Sequence, residues 1–119
     1  MQDPARHVDH LGGDRGGHLN TINKWAAGIS DTLALGLLNE AVGLALPVIA
    51  VPFPNRALAR HPAFVRSMAQ LREWGVRLLF DPDRYPLPTP NLGPASRDLF
   101  PWPALQAELA ELTRLLLAR

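Results

Sequence analysis

The chain has no cysteine among its 119 residues. That excludes disulfides, thiolate metal ligands and a cysteine nucleophile from its own chemistry. Lysine is nearly absent as well: Lys24 stands alone, and the other basic side chains are arginines at scattered single positions. A formal net charge of +1 with no basic stripe excludes the electrostatic footprint that nucleic-acid binding needs. Long apolar runs are missing too, since Gly and Pro interrupt each one well short of the roughly 20 residues that span a bilayer. The N-terminus carries no apolar secretory core, so the expected compartment is the cytoplasm, with neither membrane nor nucleic acid as partner.

What remains is 47% hydrophobic and 19% charged, the balance of a globular chain whose length suits one small domain. Residues 1–19 stand apart. They hold Asp3, Arg6, Asp9, Asp14 and Arg15, glycines at 12, 13, 16 and 17, and few large apolar groups, and they read as a disordered tail that burial cannot order. His7, His10 and His18 fall in this stretch at no ordered metal-ligand spacing, so no metal is expected.

From Asn20 the pattern changes. Asn20 or Thr21 is placed to cap a helix in which Ile22, Trp25, Ala26 and Ile29 recur at helical spacing, and Gly28 supplies its end. Ser30 or Asp31 is the next candidate cap; behind it Leu33, Leu35, Leu37, Leu38, Ala41, Val42 and Leu44 make a helix over 32–44 that calls for burial on more than one side. "LPVIAVPF" at 46–53 and "VRLLF" at 76–80 read as short strands, the first buried on both faces. Between them His61-Pro62 opens a helix with Phe64, Val65, Met68 and Leu71 on one stripe and Gly75 at its end.

Seven prolines over 81–103 forbid regular helix and predict a looped path. Leu105, Leu109, Leu112 and Leu116 then follow helical spacing, which predicts a final amphipathic helix over 104–118. Helix alternating with strand is the pattern of an α/β fold with a parallel sheet. Two parallel strands alone are marginal, so the expected architecture over 20–119 is an incomplete doubly wound, Rossmann/flavodoxin-like sheet represented by its C-terminal half.

"LNTINKWAAGISDTLALGLL", residues 19–38, resembles the helix-opening segment of the homo-oligomeric flavin-containing cysteine decarboxylases, a family that includes the phosphopantothenoylcysteine and lantibiotic peptidyl-cysteine decarboxylases. That family's hallmark is Pro-Ala-Ser-Ala-Asn-Thr followed by Gly-Ile-Ala-Asp-Asn-Leu. Asn20 and Thr21 match the end of the first part, and Gly28, Ile29, Asp31 and Leu33 match the second, while residues 16–19 depart from it. A second hallmark, Pro-x-Met-Asn-x-x-Met-Trp, is similar at Pro52 and Asn55, with Pro54, Leu58 and Ala59 in place of Met, Met and Trp. The likeness covers about residues 20–90; residues 1–19 hold no counterpart of the family's Gly-Ser phosphate loop or of its helix with a catalytic His.

The resemblance implies bound FMN, a small-molecule or peptide cysteine substrate, oxidative decarboxylation through a thioaldehyde to an enethiolate, and a homo-oligomer of trimeric type. It implies a catalytic and substrate-binding role for Asn20, cofactor contacts for Thr21, Pro52 and Asn55, and a substrate contact for Asn55. An amide at a helix N-terminus suits a carboxylate, and Asn55 follows the C-terminal end of a strand, where open α/β sheets bind ligands. Read from the residues alone, Asn20 is as readily a helix cap, Asn55 a turn cap, Asp31 a cap, and Pro52 and Pro54 shapers of a loop.

The loop over 81–103 resembles in position the family's substrate-covering flap. It lacks the cysteine that the pantothenoyl enzymes carry there, which disfavours that one reaction. Trp25, Trp74 and Trp102 are too far apart in sequence for a stacking set and read as packing or interface residues. The alternative is a non-catalytic fragment or oligomerisation module built on the helix over 32–44, with no flavin binding of its own.

Overall fold

The computed structural model describes residues 17–89 and 99–118. Its elements are α1 (Gly17–Ala26), α2 (Leu33–Gly43), β1 (Ile49–Ala50), α3 (Arg56–Ala59), α4 (Pro62–Glu73), β2 (Arg77–Leu78) and α5 (Trp102–Leu117). The core forms where α1 meets α4. Ile22 and Trp25 on α1 and Phe64, Met68 and Leu71 on α4 recur at helical spacing, and with Leu35 and Val76 they make one buried cluster. Each such side chain contributes about 1.5–3 kcal/mol by leaving water. A polar contact crosses this interface, Ser67 Oγ donating to Asn23 Oδ1 at 2.6 Å. The buried Trp25 Nε1 has no hydrogen-bond partner among the described residues.

Two helix starts differ from expectation. α1 begins at Gly17 and not at Asn20 or Thr21, because Leu19, Ile22 and Ala26 share the face against the core and the extra turn keeps Leu19 on it. Asn20 is therefore an exposed residue of the first turns and no cap. The expected boundary at residue 19 falls inside this helix; the tail over 1–16, with His7 and His10, lies outside the described residues.

The cap of α2 is Thr32, whose Oγ1 accepts from the Leu35 N–H at 3.1 Å; neither Ser30 nor Asp31 fills that role. Asp31 pairs instead with Lys24 at 2.6 Å, and Asn39 Nδ2 donates to Ile29 O at 3.0 Å and to Ser30 Oγ at 2.8 Å. Leu35 is the only buried residue of α2, while Leu33, Leu37 and Leu44 are exposed, so the expected burial on several sides is not met among the described residues.

Three helices end in the same turn, with crossed hydrogen bonds that satisfy their last carbonyls. At α1 the Gly28 and Ile29 N–H groups donate to Trp25 O and Lys24 O, and at α4 those of Gly75 and Val76 donate to Arg72 O and Leu71 O. Both glycines take the left-handed φ that this turn requires, +75° and +92°. At α2 the same position is filled by Ala45 at φ +54°, its N–H donating to Val42 O and that of Leu46 to Ala41 O.

β1 and β2 pair in parallel, Ile49 opposite Arg77 and Ala50 opposite Leu78. The Arg77 N–H to Val48 O and the Leu79 N–H to Ala50 O, both 2.9 Å, extend the ladder by a residue at each end. Of the expected strands over 46–53 and 76–80, only these central pairs form; Pro47 and Pro52 flank β1 and have no N–H to lengthen it. Val48, Ala50, Leu78 and Phe80 pack against the core, and Phe80 meets Phe64 edge-on at 5.4 Å. By strand alternation Ile49, Arg77 and Leu79 occupy the opposite face, where Arg77 lies 3.8 Å from Glu108 of α5. The strand residues are half-buried on each face.

α4 starts as expected, with Pro62 at its N-terminus, and α5 begins at Trp102, which puts Pro103 in the first turn where proline is tolerated. The one-turn helix α3 was not foreseen. No helix among the described residues is long and apolar enough to cross a membrane.

Candidate functional site

The chain leaves β1 through Val51-Pro52-Phe53-Pro54-Asn55, and this C-terminal edge is an enclosed loop. Pro52, Phe53 and Pro54 are all buried. Two prolines around one aromatic fix the backbone on either side of Phe53, so the loop keeps one shape at little entropic expense. Asn55 then caps α3, its Oδ1 accepting from the Leu58 N–H at 3.0 Å. That contact uses the acceptor end of the amide; the Nδ2 donors have no partner among the described residues.

The loop is covered from two directions. Arg56, the first residue of α3, donates its backbone N–H to Pro88 O at 2.9 Å and its Nε–H to Leu87 O at 3.2 Å. Leu87 and Pro88 are both buried. From the other side Phe100 packs on Phe53 with ring centroids 5.5 Å apart and on Trp102 at 4.4 Å. The expected loop over 81–103 thus has both described flanks seated on the C-terminal edge of β1, while residues 90–98 lie outside the described residues.

The residues predicted from sequence fall on two elements. Pro52 and Asn55 belong to this edge; Asn20, exposed, and Thr21, half-buried, belong to the first turns of α1. No hydrogen bond joins Asn20 to Asn55 among the described residues. The first turn of α1 has no acidic side chain, so nothing there opposes an anion drawn to the positive end of the helix. His61 caps α4, Nδ1 accepting from the Ala63 N–H at 3.0 Å, which is a structural role. Trp25 is core, Trp102 packs at a tilt against Phe100, and Trp74 is exposed.

Two open clefts lie elsewhere, one along β2 on the side of α5 and one at the N-terminal end of the strands. One of about 430 Å³ is bordered by Arg72, Arg77 and Glu108, the other of about 370 Å³ by Leu46, Trp74, Leu112 and Leu115. Neither includes Asn20, Thr21, Pro52 or Asn55. Because ligands of open α/β sheets sit outside the carboxyl ends of the strands, the β1 edge is the better candidate despite the volume elsewhere. The perturbed titrating pair, Glu111 and Arg114, is exposed on α5: the hydrogen bond from Arg114 lowers the Glu111 pKa below its ordinary value and raises that of the arginine.

Sequence reasoning missed Arg56 and its two carbonyl partners. Leu87 lies 31 residues from Arg56 and Pro88 one further, and no local spacing signals a contact of that range. No curated protein and no solved structure matches the chain. A family model described as Flavoprotein matches residues 17–109, from the first turn of α1 into α5. With that match over most of its length, a parallel βαβ unit and an asparagine at the carboxyl edge of its first strand, the chain belongs to the flavoprotein family.

Proposed function

We propose that the chain holds FMN at the C-terminal edge of β1 and takes part in oxidative decarboxylation of a cysteine-type substrate, a small molecule or a peptide C-terminus. The observation that carries this reading is the placement of Asn55 on that edge, in a chain whose family implies a flavin. The residue types fit the group. The Nδ2 of Asn55, without a partner among the described residues, is a donor suited to a flavin's carbonyl and ring-nitrogen acceptors, the Thr21 hydroxyl suits phosphate or ribityl oxygens, and Pro52 holds the loop in shape. A bound flavin would supply the electron sink for oxidising the substrate's carbon–sulfur unit.

The chain's own residues position the substrate. Asn20 is the catalytic residue of this reading: its exposed amide donates to the substrate carboxylate, and the N-terminal end of α1 adds a favourable field for that anion. Asn55 offers a second amide hydrogen to substrate or cofactor. The test is the visible spectrum of the purified full-length chain before and after adding FMN. A flavin spectrum that survives gel filtration supports the reading, and a colourless protein that takes up no added FMN contradicts it.

The exposed Leu33 and Leu37 of α2, with Leu44 at its C-terminal cap, favour a second, compatible reading, a homo-oligomer of trimeric type assembled through that helix. If the assembly were its sole role, the chain would be a non-catalytic oligomerisation module. Sedimentation velocity decides: a monomer at micromolar concentration removes the reading.

A further inference from the structure

We infer that Arg56 is a positioning residue that latches the segment 86–88 onto the C-terminal edge of β1, so that Leu87 and Pro88 form a fixed wall of the site. The reason begins with the segment itself. Pro86 and Pro88 have no N–H and a fixed φ, so this stretch has little means of pairing its own backbone. Leu87 is only 5% exposed and Pro88 is buried, which withdraws their carbonyls from water and obliges them to find donors elsewhere.

Arg56 meets both needs from one position. As the first residue of α3 it carries a backbone N–H that no turn of its own helix can use, and that N–H goes to Pro88 O. Its side chain turns back to Leu87 O. The Asn55 cap fixes the direction of α3 and hence of the first donor. Opening the segment requires both bonds to break and pulls the buried Leu87 out of its seat. The consequence for ligand binding rests on the flavin reading of this edge; the latch does not.

The full-length chain with Arg56→Ala loses the side-chain bond alone. Arg56→Pro loses both, yet suits the first position of a helix, and Asn55 at φ −70°, ψ 168° already has the backbone that precedes a proline. In the ligand-free protein, amide exchange over 81–89 and tryptic cleavage after Arg84 rise roughly tenfold in Arg56→Ala and further in Arg56→Pro, with exchange in α4 unchanged. Arg56→Lys, which keeps the backbone donor and a side-chain cation, recovers part of the protection. The FMN dissociation constant rises in the same order.

Exchange over 81–89 that is the same in all variants overturns the latch, whatever FMN does. Raised exchange with unchanged FMN affinity overturns the wall. If the wild-type chain binds no FMN, the flavin reading fails while the exchange series still decides the latch. Should Arg56→Pro also loosen α4, Arg56→Ala carries the decision.

Discussion

α4 and α5 are both amphipathic helices by sequence, and they end up in opposite situations. The shorter α4 buries Phe64, Ser67, Met68 and Leu71, whereas none of the 16 residues of α5 is buried and Leu109, Leu115, Leu116 and Leu117 remain exposed. Each has apolar residues at helical spacing. The difference lies in what they meet: α4 packs against α1 over a cluster of large side chains, while α5 adds no residue to that cluster and meets β2 at the half-exposed Arg77–Glu108 pair. Such an ion pair contributes about 0–1 kcal/mol, so it places α5 without anchoring it. Periodicity makes a helix; only a facing partner makes it part of a core.

The contrast is broken most sharply by matched truncations. Phe64→Ala costs about 3–5 kcal/mol, whereas Leu109→Ala changes stability by no more than about 0.5 kcal/mol, both read from denaturant unfolding. Equal losses would show that α5 is as embedded as α4. Next in size, Ser67→Ala removes the hydroxyl that bonds Asn23 across the α1–α4 interface and costs about 1–3 kcal/mol, measured the same way. A neutral result would mean that water serves Asn23 equally well.

A smaller effect of opposite sign belongs to the turn after α2. Ala45 holds the left-handed φ that glycine holds after α1 and α4, so Ala45→Gly relieves strain and, less the flexibility that glycine adds to the unfolded chain, stabilises by about 0.5–1 kcal/mol. Calorimetry of the variant checks it; a loss of stability would contradict the strain.

Smallest of all is the titration of Glu111 on α5. Its hydrogen bond from Arg114 favours the ionised form in the folded protein, so the stabilisation is present above the ordinary carboxylate pKa and fades as pH falls through the lowered one. Full exposure and salt screening keep it slight. Melting temperature against pH at low salt should slope less on the acid side in Glu111→Gln than in the wild type, and identical slopes would contradict the pairing.

What was legible in the sequence was local. Gly28 and Gly75 announced the ends of α1 and α4, His61-Pro62 the start of α4, and the apolar runs around Ile49 and Leu78 a parallel pair. Each of these signals fits within a few residues. Choices among near-equivalent residues were not legible. Ser30, Asp31 and Thr32 are three consecutive capping types, and burial of Leu35 together with the pull of Lys24 on Asp31 selects the third. Glycines at 16 and 17 fell in the stretch read as a disordered tail, yet packing of Leu19 carries α1 through Gly17.

The candidate site was half legible in the same way. Pro52 and Asn55 could be read because a resemblance and a strand end coincide there. Arg56 with Leu87 and Pro88, and Phe53 with Phe100, are long-range contacts that need the fold before they exist.

FMN titration of the wild-type chain beside Asn55→Asp tests the flavin assignment most directly. Aspartate caps a helix as well as asparagine, so α3 and the melting temperature are preserved, but the Nδ2 donor is replaced by an acceptor-only carboxylate. The expected result is binding by the wild-type chain and an affinity lower by at least about tenfold in Asn55→Asp. Equal affinity in the two proteins, or no binding by the wild type, would contradict the assignment of this edge as the flavin site.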